Sequence, residues 1–92
     1  MSDKPTNREL ISELFELIAS IDNADDCRDL FEDMCTVKEI EQMAQRIHAA
    51  KLLLEGKTYQ QVTELCDISS ATLSRVSRCV QYGSGYEKFL KK

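Results

Sequence analysis

Four times in this chain of 92 residues a Ser or Thr is followed three positions later by Glu or Gln: Thr6-x-x-Glu9, Thr36-x-x-Glu39, Thr58-x-x-Gln61 and Ser84-x-x-Glu87. This is capping-box spacing. The hydroxyl accepts a free N–H of the first helical turn, and the acid or amide reaches back to the N–H of the cap. Asn23 with Asp26 offers a weaker start of the same type. Pro5, Gly56, Gly83 and Gly85 are the only strong breakers, and no alternating strand pattern of useful length exists. The chain is therefore predicted to be all-α, with about six short helices.

The first helix is expected over residues 7–21, where Leu10, Ile11, Leu14, Phe15, Leu17, Ile18 and Ile21 make one wide apolar stripe. A second, over 24–35, places Cys27, Leu30, Phe31 and Met34 on one face. The third, over 37–55, carries Ile40, Met43, Ile47, Ala50 and Leu54 at alternating steps of three and four, a short seam that Gly56 ends. These stripes are broad for the modest core such a length allows. They predict a homodimer: a single domain over 1–92 whose residues 6–56 are the helical dimerisation core. The alternative is a monomer whose three helices cover one another.

The formal charge of −4 conceals an asymmetry. Residues 1–56 hold six basic and thirteen acidic side chains, whereas residues 57–92 hold six basic and three acidic ones. An acidic scaffold with a basic end is the pattern of a chain that meets an anionic partner through one region. The N-terminus MSDKPTNREL lacks the basic-then-apolar layout of a secretory signal, and no apolar run is long enough for a membrane, so a cytoplasmic protein is expected. Cys27, Cys35, Cys66 and Cys79 have no C-x-x-C spacing and lie far from the lone His48. They are expected to be small buried hydrophobes, and neither a metal site nor a cofactor is predicted. No acid–base pair or nucleophile motif surrounds His48, so no catalytic residues are assigned and an enzyme is not expected.

Residues 58–80 are the informative stretch. They predict a helix over 58–65, a turn over 66–69 and a second helix over 70–80, the spacing of a helix-turn-helix; a last helix follows over 84–92. Val62, Cys66, Ile68, Leu73 and Val76 supply the small and apolar residues that lock such a corner. Left facing outward at the start of the second helix are Ser70, Ala71, Thr72, Ser74 and Arg75, preceded by Ser69. Small hydroxyl and methyl groups on a helix N-terminus suit a major groove, and Arg75 and Arg78 suit a phosphate, a base edge or a ligand. Asp67 departs from the motif, standing where the turn commonly has Gly, and it tolerates a left-handed backbone less easily. An ordinary helical hairpin is the alternative.

The segment from Cys35-Thr-Val-Lys-Glu-Ile-Glu-Gln-Met-Ala-Gln-Arg46 to Leu54-Glu-Gly56, together with Ala71-Thr-Leu-Ser-Arg75, resembles the Trp repressor superfamily over roughly residues 34–90. Within it, the chain is most similar to the Trp-repressor-like YerC/YecD group of bacterial transcriptional regulators. The resemblance implies an intertwined homodimer with two helix-turn-helix heads on a palindromic double-stranded DNA operator. It carries base contacts onto Ser70, Ala71 and Ser74, and backbone contacts onto Tyr59, Gln60 and Thr63. Two of those backbone positions are basic in the repressor, so the neutral Gln60 and Thr63 imply weaker phosphate binding and a shallower salt dependence. Arg46 and Arg75 match the arginines that sandwich the corepressor indole, and Thr36 matches the threonine at the pocket mouth. Val76 replaces the glycine that leaves room for that ring, which should crowd or close the pocket. A small-molecule effector is therefore doubtful and tryptophan disfavoured, leaving Arg46 and Arg75 as ion-pair partners for Glu39 or Glu41. A regulator acting by operator binding, by repression in the first instance, is thus the leading reading. A dimeric helical protein-interaction module without specific DNA binding is the alternative.

Overall fold

Helices begin where the hydroxyl caps stand. In a computed structural model that describes residues 3–91, the described residues form α1 (Asn7–Ser20), α2 (Ala24–Met34), α3 (Val37–Leu54), α4 (Tyr59–Leu65), α5 (Ser70–Tyr82) and α6 (Gly85–Leu90), with no strand. The all-α expectation of six short helices is met. Both hydrogen bonds of the capping box form at Thr6, whose Oγ1 accepts the Glu9 N–H at 3.1 Å while Glu9 Oε2 accepts the Thr6 N–H at 2.9 Å. Thr58 and Gln61 repeat the exchange at 3.1 and 2.8 Å. Asn23 Oδ1 accepts the Asp26 N–H at 2.8 Å, and α3 starts at the residue after Thr36. Each such cap stabilises its helix by about 1 kcal/mol.

Ser84 is the exception. It makes no side-chain cap bond, because its backbone is helical (φ −118°, ψ −21°) rather than extended, and the hydroxyl of a helical residue does not swing over the first-turn N–H groups. Only Gly83 and Ser84 separate α5 from α6; Gly83 is extended (φ −88°, ψ −179°), and the chain is already back in helical geometry at Ser84. α6 is correspondingly brief, and Lys92 of the expected 84–92 helix lies outside the described residues. At the other end of α3, Gly56 takes φ +93° and closes the helix as a Schellman turn: the Gly56 N–H reaches Leu53 O and the Lys57 N–H reaches Leu52 O, both at 3.0 Å.

The chain divides into two compact units, one through Thr36 and one from Val37 onward. The boundary falls inside the 6–56 segment, grouping α3 with the helix-turn-helix. In the N-terminal unit neither α1 nor α2 buries a residue, and Leu10, Ile11, Phe15 and Leu17 of the α1 stripe are 46–64% exposed. In the second unit Ala49, Ala50 and Leu52 of α3 meet Val62 and Cys66 from α4 and its cap, and Leu73 and Val76 of α5. Leu53, Ile68, Val80, Tyr86 and Leu90 pack around them. The α3 seam is only partly used: Ala50 is buried, but Ile47 is 40% exposed and the core draws equally on the flank of Ala49 and Leu52.

Candidate nucleic-acid interface

α4 has seven residues, too few to persist alone. The Thr58 box holds its start and the fully buried Val62 anchors it to the core. Its cap, Cys66, is extended (φ −128°, ψ 146°) and buried. Burial pushes the Cys66 thiol up, so it stays protonated and behaves as a small hydrophobe, as expected. Of the other three cysteines, Cys27, Cys35 and Cys79 are half-buried, and all four are free thiols.

No described non-glycine residue has positive φ, so the turn does not require Asp67 to be left-handed. Its N–H leaves α4 and donates to Gln45 Oε1 of α3 at 3.1 Å. Ser69 is extended (φ −71°, ψ 155°) and caps α5. Its Oγ accepts the Thr72 N–H at 3.2 Å and donates to Thr72 Oγ1 at 3.0 Å. Leu73 and Val76 turn into the core at 0% and 2% exposure, and Ile68 packs against it from the turn, the corner the spacing predicts.

Opposite that anchor, Ser70, Ala71, Ser74, Arg75 and Arg78 are all exposed. Their steps of three and four gather them on one side of the first two turns of α5. Ser69 and Thr72, expected among the outward set, are tied to each other at the cap, and Thr72 is half-buried. On α4, Tyr59, Gln60 and Thr63 are exposed. Thr63 Oγ1 donates to the Gln60 carbonyl at 2.6 Å.

Two clefts flank this surface. One, of about 410 Å³, runs along α3 beside the turn and is lined by Lys38, Glu41, Gln45, Arg46, Asp67 and Thr72 among others. The second, of about 460 Å³, lies between Arg46 and Arg75 and is completed by Thr72, Val76, Cys79 and Tyr86. Val76 therefore does not close the space between the arginines. Thr36, the third residue expected there, precedes α3 in the N-terminal unit. Among the described residues neither Arg46 nor Arg75 forms an ion pair, against the expected pairing with Glu39 or Glu41. No three His, Cys, Asp or Glu side chains among the described residues converge as metal ligands, and no described helix is long and apolar enough to cross a membrane.

The family model for Trp repressor protein matches residues 9–92. The chain belongs to the Trp repressor family. The match takes in α1 and α2 as well as the 34–90 segment whose motifs carry the resemblance. Over 91 residues the chain is 41% identical to YerC of Bacillus subtilis (strain 168), an uncharacterised protein, covering 98% of this chain and 86% of YerC. Two crystal structures share the fold. One is a candidate Trp repressor from Staphylococcus aureus, at 37% identity and a TM-score of 0.83 over 89% of this chain and 83% of that one. The other is a TrpR-like protein from Eubacterium eligens ATCC 27750, at 37% identity and 0.82 over 95% of this chain and all of that one. The Trp repressor family is one of regulators rather than enzymes.

Three participants went unassigned in the sequence. Gln45 has one signal, an aspartate at a turn position where glycine is usual, which leaves a backbone N–H to be satisfied. Cys79 and Tyr86 join the arginine cleft through the packing of α5 and α6, which no local spacing announces.

Proposed function

We propose that this Trp repressor family member is a sequence-specific DNA-binding transcriptional regulator that presents the N-terminal turns of α5 to the major groove of a palindromic operator. The observation that carries this is the division of α5 into a buried anchor, Leu73 and Val76, and an exposed face of small and cationic side chains, Ser70, Ala71, Ser74, Arg75 and Arg78. A rigid helix with short side chains at its N-terminus can approach base edges closely. Tyr59, Gln60, Thr63, Ser69 and Thr72 complete the surface as helix-end and backbone-facing positions. With few cationic groups, phosphate attraction is modest and the salt dependence of binding is shallow. Repression is the default mode for such a protein, and the cytoplasm is where a bacterial operator is met.

The working unit in this proposal is a homodimer. A helix whose apolar stripe is half exposed, in a unit whose two helices hold no fully buried residue, lacks the partner surface that would stabilise it. Size-exclusion light scattering gives about twice the 10.5 kDa chain mass if this holds, and a stable species of 10.5 kDa at micromolar concentration if it does not. The cleft between Arg46 and Arg75 is the place where an effector would bind. The Val76 isopropyl disfavours a flat indole there, so tryptophan is not the proposed ligand.

The test is a mobility shift against upstream regions of the source genome at several salt concentrations, comparing the native protein with Ser70→Glu/Ala71→Glu/Ser74→Glu. Specific shifts that vanish in the triple variant support the assignment, whereas equal binding by both refutes this recognition helix. A second reading, a dimeric interaction module without specific DNA binding, is favoured by the acidic N-terminal half and by Asp67 beside the reading face. It predicts no shift above non-specific levels.

A further inference from the structure

A helix that ends in a left-handed residue turns the next N–H back onto one of its own last carbonyls. α4 does not end this way. Asp67 follows the cap Cys66, no described non-glycine residue has positive φ, and the Asp67 N–H is carried away from α4. It finds its acceptor 22 residues earlier in the chain, on Gln45 Oε1. Gln45 is half-buried, whereas Glu41, Gln42 and Arg46 around it on α3 are exposed. Two residues after Asp67 comes Ser69, the cap that fixes where α5 begins. The chain from the Gln45 acceptor to the first turn of α5 is therefore three residues long and contains no glycine.

We infer that Gln45 is a positioning residue for the recognition helix: it supplies from α3 the acceptor that a left-handed turn glycine would make unnecessary, and so registers the start of α5 against α3. Leu73 and Val76 fix the depth of α5 in the core, with Val80 and the turn residue Ile68 packed beside them, but apolar packing is non-directional and leaves rotational freedom at the N-terminal end of the helix. The Gln45–Asp67 bond lies N-terminal to those anchors, at the end that carries Ser70, Ala71 and Ser74, and removes that freedom. Asp67 and Gln45 thereby form a matched pair, the aspartate where glycine is usual being tolerated because the side-chain acceptor is present. Consequences for DNA rest on the proposed operator reading; consequences for the turn do not.

The full-length protein, with Gln45→Met, Gln45→Glu, Asp67→Gly and the Asp67→Gly/Gln45→Met pair, tests this by amide exchange followed residue by residue in NMR. Gln45→Met keeps the volume and removes the acceptor, so the position-67 amide should exchange about two- to tenfold faster, the range one neutral hydrogen bond supports. The Leu73 amide and the melting temperature should hardly move. Gln45→Glu retains an acceptor oxygen and should retain the protection. Asp67→Gly allows the left-handed closure, so adding Gln45→Met to it should change little, a non-additivity that independent sites do not show. On duplex DNA selected by the native protein, Gln45→Met should lower the ratio of specific to non-specific affinity by a similar factor, with the paired variant restoring it. An unchanged position-67 amide in Gln45→Met, or additive effects in the pair, overturns the inference. If the native protein selects no DNA, the operator reading fails separately and the exchange data alone decide the role of Gln45.

Discussion

Leu73→Ala asks how firmly the recognition helix is held. Leu73 is fully buried, in a cluster whose other members are Ala49, Ala50, Leu52, Val62, Cys66 and Val76. Truncation removes three carbons, a transfer loss of about 2.5 kcal/mol at ~0.8 kcal/mol per methylene. A cavity term adds to it, because the neighbouring alanines, valines and cysteine are short and anchored on different helices. The expected cost is about 3–4 kcal/mol, within the ~2–5 kcal/mol seen for buried Leu→Ala. Against a total of roughly 5–14 kcal/mol for a chain of this length, that leaves a marginal fold. Leu65→Ala is the matched control: the same chemistry on α4 at a side chain 55% exposed, expected to cost under about 1 kcal/mol. Urea unfolding at one fixed protein concentration reads both, since self-association would otherwise add to the apparent stability. Costs for the two variants within about 1 kcal/mol of each other, at similar m-values, would refute the claim that Leu73 is the anchor of α5.

Replacing Ile11 and Phe15, which are 51% and 64% exposed, by glutamate should convert a dimer to a 10.5 kDa species in light scattering; an unchanged mass places the interface elsewhere. Gly56→Ala should destabilise by about 1–2 kcal/mol, because an L side chain at φ +93° is strained although open space surrounds it; calorimetry showing no loss removes the Schellman closure as a stabilising feature. With its pKa raised in the folded state, Cys66 contributes stability that is intact below the ordinary thiol value near ~8.5 and is lost as pH climbs through the raised value. The urea midpoint should therefore fall more steeply above about pH 8.5 in the native protein than in Cys66→Ala, and Cys66 should be the slowest of the four thiols to alkylate; parallel pH profiles contradict this.

What the sequence made legible was local. Caps at Thr6, Thr58 and Asn23 and the stop at Gly56 rest on bonds between residues three to five apart, and they appear where the spacing puts them. The corner was legible because Val62, Leu73 and Val76 are apolar at helix periodicity beside a polar reading face. Ser84 misled because a matching residue pair does not determine the backbone geometry of the cap, and Ser84 is already helical. The α3 periodicity marked an apolar seam without revealing which side of it the core would use, and Ile47 is left partly exposed. Least legible were the long-range partners: Gln45 meets Asp67, and Tyr86 meets the arginine cleft, only once α3, α5 and α6 have packed. Val76 was expected to crowd or close the space between Arg46 and Arg75, whereas the volume found there depends on that same packing.

The central claim, that the outer face of α5 reads operator DNA, is tested most directly by selecting duplexes from a random library with the native protein and sequencing what is retained. The account predicts enrichment of a two-fold symmetric motif whose half-sites lie about one helical turn, ~10 base pairs, apart, with the enrichment lost in Ser70→Glu/Ala71→Glu/Ser74→Glu. Retention without any enriched sequence, or the same motif from both proteins, would contradict it.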